Sequence, residues 1–225
     1  MKNPRLFLLG IAVLCWNGCA ADKKTTAMSS PALRPCCQRV MADSATIPPV
    51  ADPPVLALPG DWQDDAGKTL PLSELRGQTV LISMFYASCE GVCVITKNDM
   101  KAVEASLTPA AREQTVFVLV TLAPELDTPA VLQTYRRAEG LAAGRWRLLR
   151  GSAKSTAALA ARLGVGYGRD HSGLFRHASE LTVLGPAGNI LMQQDGLHAD
   201  LAATAKIINA ACGDRQFVVQ TQNGE

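Results

Sequence analysis

The chain has 225 residues, a length that suits one domain with a terminal extension and allows a sizeable core. Apolar residues make up 48% and charged residues 19%, which is typical of a globular chain and excludes a largely disordered one. The net charge at pH 7 is +2 and no basic block stands out, so we expect no nucleic acid partner.

The amino terminus carries the pattern of an export signal. Two basic residues precede the apolar run LFLLGIAVLCW, which is too short for an ordinary membrane anchor. A cysteine directly after Gly18 is typical of a bacterial lipoprotein cleavage site. We therefore predict a signal peptide over residues 1–18, with Cys19 as the lipidated first residue. Simple cleavage near Ala20 or Ala21 is the alternative.

Export makes the cysteines informative, because the mature chain then meets an oxidising compartment. We expect it on the periplasmic side of the membrane, held there by its lipid anchor. The sequence has seven cysteines, and those beyond the signal and the lipid site are Cys36, Cys37, Cys89, Cys93 and Cys212. An odd number argues against a pure disulfide framework and predicts at least one free, shared or intermolecular thiol.

Residues 19–54 are predicted to be a flexible tether, because they are rich in Ala, Ser, Thr and Pro without sustained periodicity. Buried strands then alternate with helices over residues 55–213, and residues 214–225 form a C-terminal tail. TVLISMFY (79–86) and TVFVLVTL (115–122) are continuous apolar runs, which indicate strands covered on both faces.

The remaining elements complete an α/β pattern. Helices are predicted after Cys93, over LDTPAVLQTYRRAEGL and SAKSTAALAARLG, and over ADLAATAKIINAAC, which we expect Gly213 to end. RWRLL is a candidate strand, and SELTVLGPAGNILMQQ reads as an antiparallel hairpin. The alternation predicts a three-layer sandwich with a mostly parallel central sheet and antiparallel hairpins, for which a thioredoxin-like arrangement fits best.

The helix that contains TPAVLQTYRRAEG has a clear start signal and a charged surface. Either Asp127 or Thr128 can cap it, and we favour a capping role for Asp127. The charged residues Arg136, Arg137 and Glu139 are predicted to form a solvated face.

Cys89 and Cys93 occur where the first buried run gives way to a helix. Ligands bind at the carboxyl ends of strands in open α/β sheets, and a helix amino terminus stabilises a thiolate there. Two nearby thiolates and an imidazole would suit Cu(I) and tolerate Cu(II). A permanent disulfide, a redox couple and two core thiols remain open on these residues alone.

Three histidines are candidates for a third ligand. His177 is favoured, because we expect it to begin the strand HASELTVLG and so to lie at the rim of the sheet. His171, in the glycine-rich segment GYGRDHSG, is the reserve candidate. His198 precedes the last helix.

Three segments together resemble the Sco/SenC family of copper-delivering proteins. They are MFYASCEGVCVITKNDM, LVTLAPELDTPAVLQTYRRAEGL and HASELTVLGPAGNI, in that order, and the resemblance covers roughly residues 55–212. It implies a thioredoxin-like fold and a copper site formed by Cys89, Cys93 and His177. His177 keeps the family's interval to the proline of the Gly-Pro-x-Gly turn, whereas His171 does not.

The sequence also departs from that family pattern. Glu90 and Val94 stand where the family usually has proline after each cysteine, and Ala123 replaces the aspartate of an Asp-Pro turn. The adjacent pair Cys36 and Cys37 has no counterpart in the resemblance. It could pass copper, bridge two chains or have no function.

The resemblance implies a protein that delivers copper, as Cu(I) or Cu(II), to the binuclear copper centre of a respiratory oxidase. Its expected partners are the copper-centre subunit of that oxidase and other periplasmic copper carriers or thiol reductants. The alternative is a thiol–disulfide oxidoreductase that uses Cys89 and Cys93 to keep the oxidase's cysteines reduced. A weaker alternative is a peroxide scavenger, which needs one low-pKa cysteine and a resolving partner.

Overall fold

The computed structural model describes residues 53–169, 171, 175–195 and 200–222, with the backbone alone at 169, 175, 195 and 214–222. The predicted signal peptide, the lipid site at Cys19, most of the tether and the pair Cys36–Cys37 lie outside the described residues, as does His198. None of the helices within the described ranges has the length and apolar character needed to cross a membrane.

A six-stranded mixed sheet forms the centre of the fold. In chain order its strands are β1 (Gln63–Asp64), β2 (Thr79–Phe85), β3 (Thr115–Thr121), β4 (Trp146–Arg150), β7 (Glu180–Leu184) and β8 (Ile190–Asp195). Their spatial order is β1-β4-β3-β2-β7-β8. The three central strands β4, β3 and β2 are parallel, and the outer pairs are antiparallel. The prediction of a mostly parallel core with antiparallel edges is confirmed.

Helices cover both faces of this sheet. They are α1 (Val92–Ser106), α2 (Pro109–Glu113), α3 (Pro129–Ala138), α4 (Ala153–Arg162) and α5 (Leu201–Gln222). Alternate side chains of β2 and β3 enter two separate apolar clusters, one with α4 and the other with α1, α3 and α5. Every residue of both strands is buried, which explains their continuous apolar sequence. This arrangement confirms the predicted three-layer sandwich.

The last helix is longer than predicted. We expected it to end at Gly213, but α5 continues to Gln222. A single glycine inside a helix costs only about 1 kcal/mol relative to alanine, so it need not end the helix. Cys212, just before it, is buried as expected.

A short two-stranded ribbon lies outside the main sheet. β5 (Tyr167–Arg169) pairs antiparallel with β6 (Phe175–His177), with Tyr167 opposite His177. The expectation that His177 begins the hairpin strand is therefore wrong: it ends β6, and the hairpin begins at Glu180. The segment predicted to be a glycine-rich loop contains β5. The sequence does not reveal this strand, because three residues are too few to give a recognisable period.

Candidate metal site

The two cysteines lie at the carboxyl end of β2, beside the parallel strand β3. β2 ends at Phe85, and the segment that follows carries Cys89 before α1 begins at Val92. Cys93 is on the first turn of α1 and is 3% exposed, whereas Cys89 is only partly buried. The two sulfurs do not form a disulfide with each other. The site thus pairs one accessible sulfur with one that belongs to the core.

The Cys89 sulfur takes the place of an ordinary helix cap. α1 has Gly91 at its N-cap position and no side-chain cap. Burial by itself would raise the pKa of Cys89, but hydrogen bonds from the Cys93 thiol, from the backbone N–H groups of Cys93 and Gly91 and from the Tyr86 hydroxyl lower it below the ordinary value. Unpaired N–H groups at a helix start favour negative charge, so a thiolate at Cys89 is stabilised here.

The same contacts act in the opposite sense on the neighbours of Cys89. Burial, and then the hydrogen bond given to Cys89, raise the pKa of the Cys93 thiol. Burial and the hydrogen bond to Cys89 also raise the pKa of Tyr86 to about 12. Deprotonation of the pair therefore begins at Cys89, and Cys93 and Tyr86 keep their protons to stabilise that first anion.

His177 faces the buried cysteine. Its Nε2 lies 2.9 Å from the Cys93 sulfur. Its Nδ1 lies 2.8 Å from the Ala178 carbonyl oxygen, and because a carbonyl can only accept, Nδ1 carries the proton of the neutral ring. Burial lowers the pKa of His177, against the opposing effect of the bond to Ala178. The lone pair of Nε2 is therefore directed toward the Cys93 sulfur, so the single proton of the Cys93 thiol can be donated either to Nε2 or to Cys89. A free Nε2 lone pair opposite an Nδ1–H that is bound to a backbone carbonyl is the arrangement that metal-ligating histidines have.

Two further contacts hold the His177 segment at this position. Ser179 Oγ lies 2.8 Å from Thr96 Oγ1, and Thr96 is one helical turn after Cys93 on the same face of α1. The Tyr86 ring meets the His177 ring edge-on, with the ring centroids 5.9 Å apart. The ribbon that ends in His177 is thus attached both to α1 and to the end of β2.

Asp127 holds the segment before Cys89 and does not cap α3. Its Oδ2 accepts hydrogen bonds from the Ala87 N–H, at 2.9 Å, and from the Thr121 hydroxyl. The cap of α3 is Thr128, whose side chain accepts from the Val131 N–H. Our assignment of the cap to Asp127 is therefore wrong. Both residues fit the local capping pattern, and the choice depends on Ala87, which lies far away in the sequence.

The charged residues of α3 also differ from the prediction. Glu139 forms an ion pair with Lys97, a residue of α1 that is 4% exposed on its side chain. Arg136 forms a two-point ion pair with Asp65, at 2.6 and 2.5 Å. The solvated face that we expected is therefore wrong for Glu139 and Arg136, because both meet partners from distant parts of the chain.

The donor atoms of Cys89, Cys93 and His177 all lie within 4.8 Å of one another. Two donors that share one metal ion are separated by about 4 Å, so this spacing fits one ion with small side-chain adjustments. Two soft sulfurs and an imidazole nitrogen are a donor set for copper. His171 is exposed in the ribbon turn and is not one of these three.

The fold and this site define the class of the protein: a thioredoxin-like protein with a cysteine–histidine donor group at the carboxyl edge of its sheet. The family model SCO1/SenC matches residues 58–211, which is more than half of the chain. The chain therefore belongs to the SCO1/SenC family.

One curated relative agrees with this assignment over a shorter stretch of the chain. A candidate copper-binding protein of Stutzerimonas stutzeri is 33% identical over 61 residues, which cover 27% of this chain and 30% of that protein. The chain thus aligns with about a third of the length of that curated relative.

Two solved structures share the fold. Arabidopsis thaliana ScoI with copper bound has a TM-score of 0.58 and 19% identity, and the match covers 70% of this chain and 97% of that one. BsSco, described as a member of the Sco family of cytochrome c oxidase assembly proteins with a disulfide switch, has a TM-score of 0.58 and 20% identity. That match covers 67% of this chain and 90% of BsSco. At these identities the likeness extends to the fold alone.

Proposed function

We propose that the protein binds copper through Cys89, Cys93 and His177 and delivers it to the binuclear copper centre of a respiratory oxidase. The observation that carries the proposal is the convergence of these three donors at one edge of the sheet. Support also comes from the family membership and from the copper-bound ScoI and the oxidase-assembly protein BsSco.

Copper would be cargo here, and the residues of the chain would hold it for release. Cys89 is the accessible donor with the lowered thiol pKa, so it binds first and is the first that an incoming thiolate can replace. Cys93 and His177 are the more enclosed donors. Such stepwise replacement transfers copper without ever freeing it into solution.

Copper loading of ligand variants tests the site. The reduced chain would carry serine in place of Cys15, Cys19, Cys36 and Cys37, so that other accessible thiols do not bind the metal. We expect Cys89→Ser, Cys93→Ser and His177→Ala each to lower copper affinity.

The matched control for that experiment is His171→Ala, an exposed histidine on the same ribbon, which should leave copper binding unchanged. Equal copper stoichiometry and affinity in the wild type and all three ligand variants would contradict the assignment. Delivery requires a second assay, in which copper moves from the loaded chain to the isolated copper-centre domain of the oxidase.

The proposed setting is the periplasmic face of a membrane, with the chain anchored by lipid on Cys19. The basic residues, apolar run and cysteine at the amino terminus support this placement. Metabolic labelling with a radioactive fatty acid should mark the wild type but not Cys19→Ser. An unlabelled wild type recovered from the soluble periplasmic fraction would contradict the anchor and favour simple cleavage.

A second candidate function is thiol–disulfide exchange, which the asymmetry of the two thiols favours. Cys89 has a lowered pKa and partial exposure, whereas Cys93 is buried and has a raised pKa. The Cys89 thiolate would attack a disulfide of the partner protein, and the first partner thiolate would leave. The Cys93 thiolate would then attack Cys89, so that the partner leaves fully reduced and a Cys89–Cys93 disulfide remains for an external thiol to reduce.

The reduction potential of this pair separates the two functions. A potential close to those of dithiol reductases, roughly −200 to −270 mV, together with reduction of oxidised copper-centre peptide, would support the exchange reaction. A chain that binds copper tightly but fails to reduce that peptide would support copper delivery alone.

A further inference from the structure

The ribbon that carries His177 is attached to the cysteine-bearing helix by a pair of hydroxyl groups that no ligand role explains. Thr96 is 5% exposed on α1, and Ser179 lies two residues after His177. Their oxygens are 2.8 Å apart. Neither residue is a metal donor, so the contact needs a different explanation.

The direction of this hydrogen bond is fixed by a third atom. Thr96 Oγ1 also lies 3.0 Å from the Val92 carbonyl oxygen, which can only accept. The single hydroxyl proton of Thr96 is used there, so the Ser179 hydroxyl donates to Thr96. Loss of either side chain therefore removes the same hydrogen bond, from the donor side or from the acceptor side.

The position of this bond makes it a constraint on His177. The main sheet does not contain His177, because β6 pairs with β5 alone and the next strand begins at Glu180. Cys93 and Thr96 are one turn apart on α1 and contact His177 and Ser179, respectively. Together with the Tyr86 ring, the Ser179 contact therefore holds the ribbon end in the position that brings Nε2 to the Cys93 sulfur.

We infer that the Thr96–Ser179 hydrogen bond positions His177 and thereby sets the relative affinity of the site for Cu(II) and Cu(I). This inference rests on the proposed copper site. Two thiolates satisfy Cu(I), a soft ion that accepts few donors, whereas Cu(II) favours nitrogen donors and more of them. A loosely held imidazole therefore weakens Cu(II) binding much more than Cu(I) binding.

The test compares Thr96→Val and Ser179→Ala with the wild type in reduced chains that carry the four serine replacements described above. Each variant should bind Cu(II) about tenfold more weakly, the lower end of the range for outer contacts of metal ligands. Cu(I) affinity, measured by competition with a chromophoric chelator, should change by less than about threefold, because both thiolates remain. Valine has the shape of threonine, so the buried position stays filled.

Three comparisons separate positioning from general damage to the fold. Thr96→Ser keeps the acceptor and should behave as the wild type. The double variant Thr96→Val/Ser179→Ala should bind Cu(II) no more weakly than either single variant, because both changes break one bond. Ser106→Ala, at the end of the same helix with its hydroxyl bound to the Val103 carbonyl, should change neither affinity.

A measurement without metal completes the test. In the copper-free wild type the ¹⁵N signals of the His177 ring should report one Nδ1–H tautomer, and Thr96→Val should show a mixture of tautomers. An unchanged ratio of Cu(II) to Cu(I) affinity, or an equal fall in both, would overturn the inference while leaving the copper site in place. A wild type that binds neither ion would instead refute the proposed function.

Discussion

Replacement of the buried Asp127 separates two contributions of its carboxylate to the free energy of unfolding, that of its hydrogen bonds and that of its charge. The side chain is 3% exposed and accepts from Ala87 and Thr121. Asp127→Ala leaves both donors without this partner, at about 1–3 kcal/mol for each unsatisfied group. Ala87 is only partly buried and can turn to water, so we expect the free energy of unfolding to fall by about 2–4 kcal/mol. Asp127→Asn keeps an accepting oxygen and should lose less.

The pH dependence of these variants has a definite sign. Burial raises the pKa of Asp127, and the hydrogen bonds from Thr121 and Ala87 oppose that rise only in part. The folded pKa therefore lies above the unfolded value of about 3.9. The stability that the protonated carboxyl contributes is present below about pH 4 and is lost as the pH rises through the folded pKa. Asparagine does not titrate, so Asp127→Asn should gain stability relative to the wild type over this interval.

Urea unfolding of the wild type and Asp127→Asn at about pH 4, 5.5 and 7 measures this difference, and carboxyl groups common to both proteins cancel. The control is Thr128→Ala, which removes the actual cap of α3 and should cost about 1 kcal/mol at every pH. If the wild type instead gained stability relative to Asp127→Asn as the pH rose, the carboxylate would be stabilised as an anion. That result would refute the argument from burial.

Three further predictions concern the candidate metal site and the ion pair between Lys97 of α1 and Glu139. A limiting amount of iodoacetamide should label Cys89 before Cys93, because the Cys89 thiol has the lower pKa and the greater exposure. Peptide mass spectrometry measures the labelling of each cysteine, and equal labelling of the two would contradict this prediction. Lys97→Met should lower the free energy of unfolding in urea by about 1–2 kcal/mol, because it leaves the partly exposed Glu139 without its partner. Lys97→Met/Glu139→Gln should lower it by less, because the unpaired charge is removed as well; a double variant that loses more than Lys97→Met alone would exclude coupling. Copper occupancy, followed by absorption, should decrease as the pH is lowered, because the thiols become protonated. The decrease should show no step near pH 6.5, the ordinary pKa of histidine, because the pKa of His177 is lowered. A step there that His177→Ala abolishes would contradict the last prediction.

The parts of the fold that follow from the sequence are those with strong local patterns. β2 and β3 are buried on both faces, so their sequences are almost wholly apolar and their bounds differ from the prediction by one residue. The placement of Cys89 and Cys93 follows from the strand-to-helix change between them. His177, in contrast, is favoured over the other histidines by an expected strand position that is wrong, and by its interval in the family resemblance, which does not depend on that position.

The parts that could not be predicted depend on residues far apart in the chain. The choice between Asp127 and Thr128 as the helix cap is decided by Ala87, 40 residues before Asp127. The Lys97–Glu139 pair joins α1 to the residue that directly follows α3, across 42 positions. Each of these residues also has a satisfactory local interpretation, as a cap or as a solvated charge, and local propensity gives no reason to reject it.

The three donors depend on different supports, which bears on how the site could release a metal. Asp127 holds the segment before Cys89, α1 itself carries Cys93, and Ser179 connects the His177 segment to α1. A change in one support therefore need not displace the other two donors. For a protein that transfers copper by exchanging one ligand at a time, this independence is an advantage, because two donors keep the ion while the third is replaced. A site whose donors all lay on one rigid element would have to release them together. If variants at Asp127 and at Ser179 affected all three donors equally, the donors would not be held independently.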